Sequence, residues 1–386
     1  MTVKTADRMR LIQPFHVMAL LARARELEAA GHSIIHMEIG EPDFVTPQPV
    51  IDAGIRALQD GRTHYTPSTG LWALREKIAG FYLTRYGITI EPERVVITPG
   101  ASAALQLVLA VLVNSGDQVL LADPGYPCNR NFVHLLNGEP VAVPVDAASG
   151  YQPAPQQLRE YWTDQTRALL VASPSNPTGS LLDDHTLREY HAITGKNGGS
   201  LIVDEIYHGL TYDGPAQTAL AVADDIFVIN SFSKYFGMTG WRLGWLIAPR
   251  AVIPDIDKLA QNLFLAAPTV SQYAALKAFD DEVIAILEAR RDEFRLRRDY
   301  LLPALRDIGF EIPVEPAGAF YLYADCSRFT DDSYGFARHL LEETGVAITP
   351  GIDFGRNHPE SHVRFAYTTS LENLQEGVRR LAEKLR

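Results

Sequence analysis

The chain runs to 386 residues, enough to bury one large core with a smaller one appended, so two lobes are expected. A formal charge of -12 argues against nucleic acid or an anionic membrane surface as the main partner, and any anionic ligand must be held by local charge. Cys128 and Cys326 have no paired spacing, which argues against a disulfide framework and a zinc site and points to reduced thiols in a cytoplasmic protein.

The opening MTVKTADRMRLIQPFH is interrupted by charge and followed by no small-residue cleavage site, so it does not read as a secretory leader. His16 to Ala30 places Val17, Leu20, Leu21, Ala24 and Leu27 on one face and stops at Gly31, the pattern of a lone amphipathic surface helix. Short β-rich runs follow at Val95 to Thr98, Gln118 to Ala122, Ala168 to Ala172, Leu201 to Asp204, Asp225 to Ile229 and Gly244 to Ile247. Stretches of helical periodicity separate them, and that alternation predicts a three-layer α/β domain. The longest apolar stretch, Ala103 to Val113, is far short of the roughly 20 residues that span a bilayer and reads as a buried helix. From Glu282 to Arg306 runs a long charged helix. Strands at Ala319 to Ala324 and His362 to Tyr367, interleaved with helices at Tyr334 to Thr344 and Leu371 to Leu385, suggest a smaller α+β lobe.

Ligands of open α/β sheets bind beyond the carboxyl ends of the strands, so polar residues that follow apolar strands are the ones to weigh. Five places qualify. At 95–102 a strand ends in Gly100 and an apolar helix begins, with Ser102 beside the free N–H groups that suit a phosphate; a routine strand–glycine–helix turn is the plainer reading. At 123–127 Tyr126 stands between two prolines, either stiff enough to stack on a flat ring or part of a surface turn. At 173–179 an Asn176-Pro177 step that can be cis puts Asn176 beyond a strand, as a donor to a ligand oxygen or in an Asx turn. At 201–207 Asp204 and Glu205 end an apolar strand with Tyr207 beyond them. A carboxylate there needs a cationic partner, either a protonated ring nitrogen or a structural salt bridge. At 230–244 Ser231, Ser233, Lys234 and Arg242 crowd into an apolar, glycine-rich segment. Two hydroxyls and an arginine suit a phosphate, and a desolvated lysine beside cationic neighbours suits a Schiff base.

These residues resemble the class I and II aminotransferases, which are fold type I pyridoxal-phosphate enzymes. SFSKYFGMTGWRLG at 231–244 is similar throughout to that family's lysine-attachment signature. The resemblance runs in order through GEPDF at 40–44, HYTPSTGLWALR at 64–75, TPGAS at 98–102, SNPTG at 175–179, DEIY at 204–207, PAGAFY at 316–321 and VRFAY at 363–367. It implies an α/β, three-layer, aspartate aminotransferase-like large domain over 47–282, with a smaller α+β domain built from 1–46 and 283–386. It also implies pyridoxal 5'-phosphate as cofactor, with no metal, and L-amino acid and 2-oxo acid substrates.

By the same resemblance, Lys234 carries the Schiff base and shuttles the proton, Asp204 keeps the ring nitrogen protonated, and Asn176 and Tyr207 bond the ring hydroxyl oxygen. Tyr126 stacks on the ring. Ala101, Ser102, Ser231, Ser233 and Arg242 hold the phosphate, and Tyr65 reaches it from the neighbouring subunit of a homodimer with shared sites. Arg364, assisted by the Gly40 backbone, grips the substrate α-carboxylate; without the family it reads equally as a salt-bridged or edge arginine.

The sequence departs from the bacterial aspartate-preferring subgroup in two places. Ser102 stands where that subgroup carries a lysine for the distal carboxylate, and Phe15 and His16 stand where small hydroxyl residues are usual. Lost cationic charge and added apolar surface imply a broad, hydrophobic or aromatic donor preference, with 2-oxoglutarate or pyruvate as acceptor. A protonated His16 would still favour an acidic side chain, which keeps aspartate aminotransferase open as an alternative. A carbon-sulfur lyase or a synthase would use the same scaffold and site residues. A sensing module of the kind fused to DNA-binding domains is disfavoured, because no basic N-terminal domain or basic stripe is present.

Overall fold

The computed structural model describes residues 3–386; Met1 and Thr2, the first residues of the expected N-terminal segment, lie outside the described residues. The chain begins with α1 (His16–Ala29), β1 (Ile35–His36), α2 (Gln48–Gln59) and α3 (Trp72–Tyr86). Alternation follows through β2 (Val95–Thr98), α4 (Ala101–Leu112), β3 (Gln118–Asp123), α5 (Pro127–Leu135), β4 (Glu139–Pro144), α6 (Pro155–Tyr161), β5 (Thr166–Ala172), α7 (Asp184–Lys196) and β6 (Ser200–Asp204). Next come β7 (Phe227–Ser231), β8 (Gly244–Ile247), α8 (Ile253–Leu263), α9 (Thr269–Ala275) and the long α10 (Asp281–Ile308). The last part holds β9 (Tyr321–Asp325), α11 (Ser333–Thr344), β10 (Val346–Ala347), β11 (Thr349–Pro350), β12 (His362–Ala366) and α12 (Leu371–Leu385).

Seven strands form one sheet in the order β2-β8-β7-β6-β5-β3-β4. The pairs from β7 to β4 are parallel, whereas β8 runs antiparallel to both of its neighbours. The central strands are apolar on both faces, as a sheet covered by helices on each side requires. Helix α4 buries Leu105, Leu107, Val108 and Leu109, and each such side chain contributes about 1.5–3 kcal/mol when fully removed from water. In register, Ala172 lies beside Asp204 and Asp204 beside Ile229, so the ends of β5, β6 and β7 are level. The polar residues after these strands therefore share one rim.

A second sheet, β11-β12-β9, is antiparallel, and β1 pairs with β10 in parallel. Helix α1 is not the lone surface helix its sequence suggests. Leu20, Ala24 and Leu27 are buried against α11, β10 and β11, and Arg23 forks onto Glu342 of α11 at 2.6 and 3.0 Å. The apolar period marked the buried face, but its partner lies in the last fifth of the chain.

Strand β4 was not among the expected strands because Pro140 and Pro144 interrupt it. It occupies the edge of the sheet, where a missing N–H is tolerated. Among the described residues, no helix is long and apolar enough to cross a membrane.

Candidate active site

A cavity of about 220 Å³ opens at the rim, between the ends of β5 and β6, the start of α4 and the β11–β12 region. It draws Ala101, Ser102, Tyr126, Asn176, Asp204, Tyr207 and Lys234 from the large sheet, and Phe15, Gly40 and Arg364 from the first and last parts of the chain. Segments more than 300 residues apart thus meet because β1 lies on β10 and α1 on α11.

Asp204 ends β6 and is 5% exposed. Its Oδ1 accepts the Ile206 amide at 3.0 Å, and burial pushes its carboxyl up to about 7, a rise that the amide bond and Lys234 oppose. The salt bridge open in the sequence does not form: no cation lies within ion-pair reach of Asp204 among the described residues. Lys234 Nζ donates to the Gly40 carbonyl at 2.6 Å. Burial draws this amine down to about 8 while Glu41 pulls it back up, and the nearby Arg364 and Arg242 lower it further. Any side chain at Gly40 would collide with the Tyr321 hydroxyl, so the carbonyl reaches Lys234 only because position 40 is bare.

Arg364, on β12, is 6% exposed. Nη1 donates to Asn176 Oδ1 at 2.8 Å, and Nη2 to the Glu38 carbonyl at 2.7 Å and Thr349 Oγ1 at 3.2 Å. Tyr321 and Phe354 carry the guanidinium over their rings at 4.2 and 4.9 Å, whereas its buried Nε has no partner among the described residues. A buried donor left over on a cation is suited to a carboxylate. Asn176, behind a cis peptide to Pro177, spends its Oδ1 on Arg364 and keeps its amide N–H groups for another acceptor. The Tyr207 hydroxyl bonds that of Tyr321 at 2.9 Å, and burial holds the Tyr207 phenol well above its ordinary range.

Ser231, Ser233 and Arg242 stand beside the cavity rather than in its wall. Ser231 Oγ bridges the Leu243 carbonyl and the Ser233 amide, at 3.2 and 3.0 Å. Gly100, with φ +82°, caps α4 so closely to Arg242 that an added Cβ would lie 2.7 Å from its Nη2. This cradle of helix start and guanidinium suits a phosphate. Tyr65 is 82% exposed and outside the cavity of its own chain. The His16 ring is turned away, edge-on to Tyr334 at 5.1 Å.

Sequence reasoning missed Tyr321, Thr349, Asp353 and Phe354, all in the wall or beside it. Tyr321 lay inside a quoted motif without a role, while the other three belong to a short-strand region without periodicity. Glu205, beside Asp204, turns from the cavity: Oε1 accepts the Ala219 amide at 2.7 Å and Thr218 Oγ1 at 3.0 Å, and Oε2 lies 3.3 Å from His208 Nδ1. Burial pushes the Glu205 carboxyl up and the His208 imidazole down, so it disfavours the charged form of both groups at this contact.

The family model for aminotransferase class I and II matches residues 32–381. Over 383 residues the chain is 41% identical to the (5-formylfuran-3-yl)methyl phosphate transaminase of Methanocaldococcus jannaschii, covering 98% of this chain and 99% of that relative. Over 376 residues it is 39% identical to the valine–pyruvate aminotransferase of Mycobacterium tuberculosis, covering 97% of each. The solved structure of Thermus thermophilus aspartate aminotransferase with maleate superposes with a TM-score of 0.93 at 34% identity, covering 99% of this chain and 100% of that one. The fold is that of fold type I, aspartate aminotransferase-like enzymes. The chain belongs to the class I and II aminotransferases and is a transferase.

Proposed function

We propose that this aminotransferase uses pyridoxal 5'-phosphate to move an amino group from an L-amino acid, preferably one with an apolar or aromatic side chain, to a 2-oxo acid such as 2-oxoglutarate or pyruvate. The observation that carries the reading is the convergence of Asp204, Lys234 and Arg364 on one cavity, each without an oppositely charged side chain in ion-pair reach among the described residues. The residues fit the cofactor. A carboxyl held up at about 7 by burial would be relieved by a protonated ring nitrogen, and the orphaned Arg364 Nε suits a substrate carboxylate. Gly100 at the start of α4, with Ser102, Ser231, Ser233 and Arg242, suits the phosphate.

When bound, the cofactor supplies an aldehyde for the amino group and a ring that withdraws electrons from the donor's α-carbon. Lys234 would be the point of covalent attachment, and once its amine is free again the lowered pKa would leave neutral Nζ available to take the α-proton and return it. Asp204 would hold the proton on the ring nitrogen, and Asn176, whose amide N–H groups are free of Arg364, and Tyr207 would serve the ring hydroxyl oxygen. Tyr126, in the cavity wall, would pack against the ring. Arg364, positioned by Asn176, Thr349 and the Glu38 carbonyl, orients the α-carboxylate, with the Gly40 backbone beside it.

Phe15, Val17, Ile39 and Leu105 support the apolar donor preference, as does the valine–pyruvate activity named for the mycobacterial relative. Aspartate is the second reading, supported by the name of the Thermus enzyme. The proposal extends to a large unit over 47–282 and a smaller one from 1–46 and 283–386, in a cytoplasmic homodimer. Tyr65, exposed on its own subunit, would reach its neighbour's phosphate.

Borohydride treatment of the loaded protein followed by peptide mapping tests the attachment: the label is expected on the Lys234 peptide, and Lys234→Ala is expected to lose it. A label elsewhere would overturn the assignment. A donor panel with 2-oxoglutarate and pyruvate separates the two readings. Accumulation of the aminated cofactor, without ammonia release, separates both from a lyase.

A further inference from the structure

Helix α1 has no cap of its own. Phe15 is its N-cap residue, with extended backbone and no side-chain hydrogen bond to the first turn. The missing acceptor comes from 337 residues away: Asp353 Oδ1 takes the His16 amide at 2.8 Å and Oδ2 takes the Val17 amide at 2.9 Å. Asp353 is 3% exposed and lines the cavity together with Val17, whose amide it holds, and Phe15, the residue before the two clamped amides.

The segment that carries Asp353 is itself held from the opposite side. Arg130 Nη2 donates to the Asp353 carbonyl, and the Gly125 amide to the Phe354 carbonyl, both at 2.9 Å. Asp123 takes the Arg356 amide through both carboxylate oxygens at 3.0 Å. Two buried carboxylates thus stand in series. One fixes residues 353–356 to the turn that carries Tyr126, and the other fixes the start of α1 to residues 353–356.

We propose that Asp353 is a specificity-determining positioning residue. Its carboxylate holds the first turn of α1 so that Phe15 and Val17 form a fixed apolar wall, and the site takes amino donors whose side chains pack against that wall. A carboxylate on two free amides at a helix start makes charge-assisted bonds and complements the helix dipole, which neither a methyl group nor water reproduces in a buried place. The identity of the substrate rests on the aminotransferase reading above; the clamp does not.

The test uses the full chain loaded with pyridoxal phosphate as wild type, Asp353→Ala, Phe15→Ala and the double variant, with L-phenylalanine and L-alanine as donors and one common acceptor. In Asp353→Ala the ratio of kcat/KM for phenylalanine over alanine is expected to fall about tenfold, mainly through KM, the size expected for loss of one apolar contact surface. Phe15→Ala is expected to lower the same ratio, and the double variant to lower it no further than the larger single effect, since both changes remove one wall. Asp353→Asn, which keeps one acceptor oxygen, is expected to lie between. Hydrogen exchange at the His16 and Val17 amides is expected to rise about tenfold or more in Asp353→Ala, with β6 unchanged.

Equal losses for both donors, additive effects in the double variant, or unchanged exchange at residues 16 and 17 would overturn the proposal. Should Asp353→Ala fail to fold, Asp353→Asn carries the same comparisons. A wild-type protein that transaminates no donor overturns the aminotransferase reading and the specificity with it, while the exchange measurement still decides the clamp.

Discussion

Arg364 and Asn176 meet across 2.8 Å, the guanidinium donating to the amide oxygen, although 188 residues separate them. The bond fixes the guanidinium plane, and its buried Nε has no partner among the described residues. Arg364→Ala is therefore expected to lower kcat/KM by about 10² or more for every amino donor, because a carboxylate drawn into this cavity would lose its charged partner. Arg364→Lys should recover only part, since an ammonium cannot reproduce the planar fork. Steady-state kinetics across several donors provide the check. A loss confined to one donor would place Arg364 at a side chain rather than at the α-carboxylate.

Asp204 lines the cavity with no cation in ion-pair reach among the described residues, and Asp204→Ala removes its carboxylate. The variant is expected to bind pyridoxal phosphate yet turn over about 10²–10³-fold more slowly, the range for loss of one preorganised electrostatic group. Absorbance of the bound cofactor and single-turnover rates measure the two effects separately. Undiminished turnover would remove Asp204 from the mechanism.

Titratable groups in the site and elsewhere in the fold give the ligand-free protein an expected pH response. Asp204 and Glu205 are raised by burial to about 7 and about 8, so the folded chain holds protons that the unfolded chain releases near pH 4, and this stability is lost as pH rises through the folded values. His36, raised to about 9 by its bond to Glu38, acts in the same direction above about 6.5. His208, held down at about 3, opposes them only below about 6.5, and the lowered Lys234 only above about 8. Between pH 6.5 and 8 the melting temperature of the ligand-free protein is expected to fall. Glu205→Gln keeps the acceptor for Ala219 and Thr218 and should flatten that slope, by at most about 1.4 kcal/mol per pH unit. Calorimetry of both proteins over this window checks it; equal slopes would mean that Glu205 does not titrate there.

The rim of the site was legible because each of its polar clusters follows an apolar run that ends abruptly. Thr98, Asp204 and Ser231 close β2, β6 and β7, and a strand that stops beside a charged or hydroxylated residue marks a rim in sequence as it does in space. The α1 face was legible for the same reason, through its period. What packs on it was not, because β1, β10 and β11 are two-residue strands too short to carry an alternation. Asp353 sits in that region, and its role as the cap of α1 depends on a contact that no local pattern announces. Arg364 was read from a family motif. Its orphaned Nε and its stacking on Tyr321 became visible only once β12 lay between β11 and β9.

Ser102 stands in the cavity wall at the first turn of α4, near the apolar side chains of Phe15, Val17 and Leu105. A donor carboxylate directed at that wall would be desolvated without a counter-ion, which costs several kcal/mol, whereas an aromatic or branched side chain gains burial there. Ser102→Lys introduces the missing charge at the position where the aspartate-preferring subgroup carries it. The variant is expected to raise kcat/KM for aspartate about tenfold or more and to lower it for phenylalanine, since the ammonium stem occupies apolar space and its head must be paired. The two donors measured on both proteins give one ratio. An unchanged ratio would mean that the donor side chain does not reach position 102. A wild-type protein already most efficient with aspartate would instead favour the aspartate reading and leave Phe15 and Val17 without a part in selection.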